Sequence, residues 1–117
     1  MPPEIARRLF DAYQACLAIE GFVRGVDFSA FLRSALIRSA VERQFEIIGE
    51  PLSKAARDEP VLSSRVPDIP RIVGLRNRLI YGDDSVDEEI VWDIVSTKLA
   101  PLKLRRELSD AGYPVKP

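Results

Sequence analysis

The residues of this 117-residue chain best suited to work on a phosphate lie close together: Arg76, Asn77 and Arg78, followed by Tyr81. A guanidinium keeps its proton at any physiological pH and forks onto carboxylate or phosphate oxygens. An amide orients a hydroxyl or a phosphate, and a phenol donates a hydrogen bond or stacks on a base. Arg76 is the most telling of the four. On a 3.6-residue helix Ile69, Ile72, Val73, Leu79 and Ile80 fall on one side, and Arg76 sits within that stripe, four residues from both Ile72 and Ile80. Burying a guanidinium unpaired costs several kcal/mol, so Arg76 needs a carboxylate, backbone carbonyls or a bound anion. A snorkelling arginine or a structural ion pair between helices satisfies the same pattern.

Three carboxylates, Glu42, Glu46 and Glu50, are spaced four apart and share one helix face. Such spacing serves a solvated surface or paired acid and base chemistry. It also allows one of the three, Glu46 first among them, to support Arg76 from the neighbouring helix. Histidine is absent, which excludes a histidine base and His-ligated zinc, and the single Cys16 is too few for a thiolate site. No metal and no cofactor are expected.

The whole chain sets wider bounds. At 117 residues it reads as one domain that buries about two-thirds of its unfolded surface. A hydrophobic content of 46% with 30% charged residues describes a globular protein, and a net charge of -1 means that any nucleic-acid site is a local cluster of Arg and Lys. Cys16 has no intrachain partner for a disulfide and no apolar run reaches membrane-spanning length, so a cytoplasmic protein with no membrane contact is expected.

The elements that must position Arg76 read as helices throughout. Pro2 and Pro3 suit a first turn, and Ile5, Leu9, Ala12, Cys16, Ile19 and Val23 follow as one stripe, with Phe10, Tyr13 and Leu17 beside it. That arc is wide enough for two neighbours, or for one neighbour and a second subunit. Asp27 or Ser29 caps a second helix whose first apolar face is Phe28, Phe31, Leu32, Ala35 and Leu36. It continues through Val41, Phe45, Ile48, Leu52 and Ala55 to about Arg57, with a kink expected near Pro51. Prolines punctuate residues 58–70, leaving at most one helical turn over Val61 to Val66. Pro70, with Asp68 as a possible cap, then launches the Arg76 helix, which Gly82 ends. Ser85 or Asp87 caps the last helix, whose buried side reads as Val86, Ile90, Val91, Ile94, Val95, Leu99 and Leu102. Pro101 kinks that helix or starts another. Trp92 reads as core or interface, and Lys103, Arg105 and Arg106 form a basic cluster. The fold class is all-α, an up-down bundle of four to five helices over residues 1–110, with a frayed tail at 111–117.

The run Gly74-Leu75-Arg76-Asn77-Arg78-Leu79-Ile80-Tyr81-Gly82, followed by Asp87 to Val95, resembles the signature of the HepT-like toxin family of the HEPN superfamily. Val41 to Glu50 and Pro67 to Pro70 are similar to segments of the same family in the same order, so the resemblance covers roughly residues 5–105. It implies a metal-independent endoribonuclease of helical-bundle fold, acting on RNA such as tRNA. It also implies a type VII toxin-antitoxin pair with a minimal nucleotidyltransferase antitoxin. In that family the arginine holds the scissile phosphate while a histidine five residues on moves a proton to or from the attacking 2′-hydroxyl. Here that position is Tyr81, and Asp83 stands where the family often has a tyrosine that the antitoxin modifies.

By this resemblance Arg76 is the catalytic clamp, and Asn77 and Arg78 are its phosphate-binding neighbours. Tyr81 occupies the catalytic position without the chemistry. A phenol with a reference pKa near 10 is only about 0.1% ionised at neutral pH, so activity is expected to be attenuated. The alternative is a non-catalytic module that binds RNA or a nucleotide, or docks the nucleotidyltransferase. Residues five apart on a straight helix point about 140° apart. The motif therefore requires the helix to end between Arg76 and Tyr81, with a homodimer bringing two such ends into one cleft.

Overall fold

The computed structural model describes residues 2–67, 69–81, 87–98 and 101–113; the side chains of Tyr81, Thr97, Lys98, Pro101 and Leu102 lie outside that description. Pro2 and Pro3 start α1 (Pro3–Phe22), as their fixed φ favours. The expected stripe of Ile5, Leu9, Ala12, Cys16 and Ile19 is buried, and Tyr13 with it. Phe10 is half-buried, while Leu17 is left exposed. The wide apolar arc of α1 meets two neighbours of its own chain, the helices introduced below as α3 and α7.

Asp27 caps α2 (Phe28–Arg33), its Oδ1 accepting the Ala30 N–H at 2.8 Å. The single long helix expected to follow is divided at Ser34. That residue is extended, at φ -109° and ψ 98°, and its hydroxyl accepts the Ile37 N–H at 3.1 Å to start α3 (Ala35–Asp58). A serine in this role satisfies an N–H that the first turn of a helix leaves orphaned. The break turns α2 so that Phe28 and Phe31 pack on Trp92, with ring centroids 6.2 and 5.1 Å apart. It also turns Leu36 outward, 80% exposed, and leaves Leu32 exposed rather than on the buried face expected of them.

Helix α3 is the element that the others surround. It packs on α1 and α5 (Ile69–Tyr81), and more lightly on α2 and the single turn α4 (Leu62–Arg65). Val41, Phe45, Ile48, Leu52 and Ala55 form its buried line, and the helix runs on through Pro51. Asp87 caps α6 (Glu88–Asp93), which passes directly into a π-helical turn over Ile94–Lys98. Val91, Ile94 and Val95 are buried there as expected, whereas Ile90 is 37% exposed; the side chains of Val86, Leu99 and Leu102 lie outside the described residues.

Pro101 begins a separate helix, α7 (Pro101–Asp110), which lies on α1. Gly112 closes it at φ +81°, a conformation that suits glycine, and the Tyr113 N–H donates to the Leu108 carbonyl at 2.9 Å. The Tyr113 ring sits 5.4 Å from that of Phe10, so the chain through Tyr113 docks on α1 instead of fraying.

The result is an all-α bundle of seven α-helices and one π turn among the described residues. The excess over four to five helices arises from the division at Ser34, the new start at Pro101 and the short α4. Asp68, Gly82, Asp83, Ser85 and residues 114–117 fall outside the described residues, so the caps and helix end expected there do too. No described helix is long and apolar enough to cross a membrane, and no described group of three or more His, Cys, Asp or Glu is placed to hold a metal.

One contact within this frame is electrostatically unfavourable. Burial, and then the facing Glu88 carboxyl at the start of α6, push the Glu42 pKa above its ordinary value. The folded state therefore holds this proton more tightly than the unfolded chain does. Stability from the site is full below the ordinary glutamate pKa and declines as pH rises through the raised one. Glu42→Gln, which mimics the protonated form, is expected to raise Tm at pH 7.5. Thermal melts should show the gain shrinking toward zero as pH falls below about 4.3.

Candidate functional site

Arg76 is set by the crossing of α5 over α3. At the crossing α3 presents Gly49, and a Cβ placed there would overlap Cβ and Cγ of Arg76 and lie 3.0 Å from its Cδ. The stem of Arg76 thus occupies the space that a side chain at position 49 would fill. Its guanidinium then reaches along α3, with Nη2 2.6 Å from Glu50 Oε2, while Nη1 donates to Asn77 Oδ1 at 3.0 Å.

The Arg76 side chain is 16% exposed, with its Nε buried, while that of Glu50 is 48% exposed, so a largely covered arginine reaches a carboxylate open to solvent. Lys54 Nζ lies 3.3 Å from Glu50 Oε1. Glu50 thus carries two cations, Arg76 on Oε2 and Lys54 on Oε1.

The carboxylate on Arg76 is Glu50, where sequence reasoning favoured Glu46. Glu46 lies one turn back along α3 and pairs with Arg43 at 3.3 Å. All three glutamates share a face, so the height at which α5 crosses decides between them, and the crossing is beside Gly49. Asn77 adjoins the guanidinium, its Oδ1 accepting from Nη1.

Arg78 is not beside Arg76. Two residues along a helix turn the side chain by about 200°, and Arg78 lines a different groove together with Arg71, on the side of α5 that faces α6. Sequence reasoning gave Arg71 no role, although its spacing of seven from Arg78 puts both on one stripe.

The helix also runs through position 81 rather than ending before it. Position 81 therefore lies about 140° around α5 from position 76. The apolar stripe is correspondingly shifted: Ile69, Ile72 and Leu75 are buried, Val73 and Leu79 are partly so, and Ile80 is 43% exposed.

A groove of about 530 Å³ between α1 and α3 carries Glu50 and Lys54 on its edge, with Arg8, Asp11, Gln14 and Ile47. Its cations and acids balance, and Arg8 is held by Asp58 at 2.8 Å. Arg76 does not line this groove, which it meets through the shared Glu50 and Lys54.

Gly49 and Gly74 provide a matched test of the crossing. A mid-helix glycine costs about 0.5–1 kcal/mol relative to alanine, whereas overpacking a close contact costs about 1–3 kcal/mol. Gly49→Ala should therefore lower stability in urea unfolding. Gly74→Ala, where an added Cβ meets nothing within 4 Å, should raise it by about 0.5–1 kcal/mol.

Comparison with known proteins gives this geometry its context. The chain is 30% identical over 102 residues to "Putative RNase MJ1380" of Methanocaldococcus jannaschii, covering 86% of this chain and 91% of that one. It is 33% identical over 97 residues to "Probable ribonuclease HepT" of Thermococcus cleftensis, covering 81% and 86%. No solved structure matches the chain. The profile of the Ribonuclease HepT-like family matches residues 12–107, a span that runs from within α1 to within α7 and includes both Gly49 and Arg76. On that match and these identities, the chain belongs to the HepT-like ribonuclease family.

Proposed function

We propose that this protein is the RNA-directed component of a type VII toxin-antitoxin pair, a metal-independent endoribonuclease of attenuated activity acting on RNA such as tRNA. The observation that carries this reading is the Arg76 guanidinium, held over Gly49 by Glu50 and Asn77 with Lys54 adding a second cation beside it. Arg76 receives the phosphate under attack, and Asn77 fixes the guanidinium plane. Neutralising the charge that builds on phosphate oxygens is the larger part of such catalysis, and it needs no metal.

The proton transfer is where this chain is weak. Tyr81 stands at the position from which the family's histidine acts, and its phenol holds its proton too firmly to serve as the base. Because positions 76 and 81 lie on different sides of α5, a cleft that presents both requires a second chain. That supports a homodimer. A phenol there still stacks on an unpaired base, which favours a second reading in which the protein binds RNA or a nucleotide without cutting it. The minimal nucleotidyltransferase antitoxin would then act by covering the site, since Asp83 offers no hydroxyl for nucleotide transfer.

Tyr81→His should raise the cleavage rate on a tRNA pool by about 10² to 10⁴, and Arg76→Ala added to it should remove that gain. Gel-resolved cleavage time courses of the parent and both variants measure this. Equal rates in the parent and Tyr81→His would remove the catalytic reading. RNA retention without cleavage by every variant would leave the binding module.

A further inference from the structure

Helix α5 carries cations on two sides, and only one of them faces α3. On the other, Arg71, Gly74 and Arg78 line a groove of about 330 Å³ with Leu75, Ile94 and the α6 residues Ile90 and Asp93. Leu75 and Ile94 are buried and form its floor. Arg71 and Arg78 are both exposed, and neither has an ion pair or hydrogen bond among the described residues. Asp93, the acid of this lining, is already engaged in an interaction of its own. The groove is therefore left with a positive excess that its own residues do not satisfy.

The spacing supports a ligand with repeated negative charges. Arg71 and Arg78 are seven apart, nearly eclipsed on the helix and separated by about 10.5 Å of rise. Gly74 lies between them on the same stripe. Unlike Gly49, it has no neighbour that its missing side chain accommodates, so its effect is to hold the floor open between the two guanidinium groups. Two planar forks over an open, partly apolar floor match a strand that offers phosphates at intervals and bases between them.

We propose that this groove is a second RNA contact, in which Arg71 and Arg78 hold successive backbone phosphates of the RNA that Arg76 engages elsewhere. This rests on the RNA-directed reading of Arg76 and extends it to a face of the helix remote from α3. The site supplies grip and register and leaves the chemistry to the α3 side.

The test is fluorescence anisotropy with a labelled single-stranded oligouridylate, titrated at several salt concentrations against the parent, Arg71→Gln/Arg78→Gln, Gly74→Leu and Arg76→Ala. Losing two phosphate contacts should flatten the slope of log K against log salt by about 1.4 and weaken binding on the order of 10-fold near 0.1 M salt. Gly74→Leu, which blocks the floor without changing charge, should weaken binding with the slope retained. Thermal melts of the double variant should match the parent, because both arginines are exposed and have no ion pair among the described residues.

A parent that binds RNA while the double variant binds with the same affinity and slope overturns the second contact alone. A parent that binds no RNA at low salt overturns both this proposal and the reading of Arg76. Displacement of the RNA by polyglutamate at matched charge, with the same dependence on Arg71 and Arg78, overturns it in favour of an acidic protein segment.

Discussion

The site depends on a helix crossing that only glycine permits. At Gly49 the backbone of α3 lies against the Arg76 stem, and the next residue, Glu50, supplies the carboxylate that the guanidinium reaches at 2.6 Å. One position provides approach and its neighbour provides charge. The mid-helix glycine costs about 0.5–1 kcal/mol in propensity, and a partly exposed ion pair returns only about 0.2–1 kcal/mol. Neither figure makes the pair a device for stability. What it supplies is placement, with a covered stem and a guanidinium held at a half-exposed carboxylate.

The rest of the bundle holds that crossing at its height. Helix α3 lies between α1 and α5, and its buried line from Val41 to Ala55 fixes its rotation. The three glutamates on its polar face then meet three different neighbours. Glu42 faces Glu88 of α6, Glu46 pairs with Arg43, and Glu50 takes Arg76. Identical residues at a regular spacing thus end in unlike environments, because Glu42 meets α6 and Glu50 meets α5 while Glu46 pairs within α3 itself.

Much of this was legible in the sequence, since periodicity reports rotation about a helix axis. The α1 stripe and the buried line of α3 follow from spacing alone, as does an arginine set among the apolar residues of α5. Periodicity does not report height along the axis, and for that reason Glu46 and Glu50 were indistinguishable until α5 was seen crossing beside Gly49. The division at Ser34 had a local signal, a serine that caps the next turn. It was obscured because Leu32 and Leu36 continue the apolar spacing across the break, although both are exposed. The role of Gly49 had no separate signal, as a mid-helix glycine beside Pro51 reads equally as a weak point. Arg78 was grouped with Arg76 by adjacency, when two residues on a helix are nearly opposite.

The central claim is that Gly49 sets the reach between Arg76 and Glu50. A double-mutant cycle in urea unfolding, combining Glu50→Ala with Arg76→Ala, measures the coupling between them directly, once in the parent and once in a Gly49→Ala background. The account predicts a coupling of about 0.5 kcal/mol or more in the parent that collapses when position 49 carries a side chain. The same coupling in both backgrounds, or none in the parent, would contradict it.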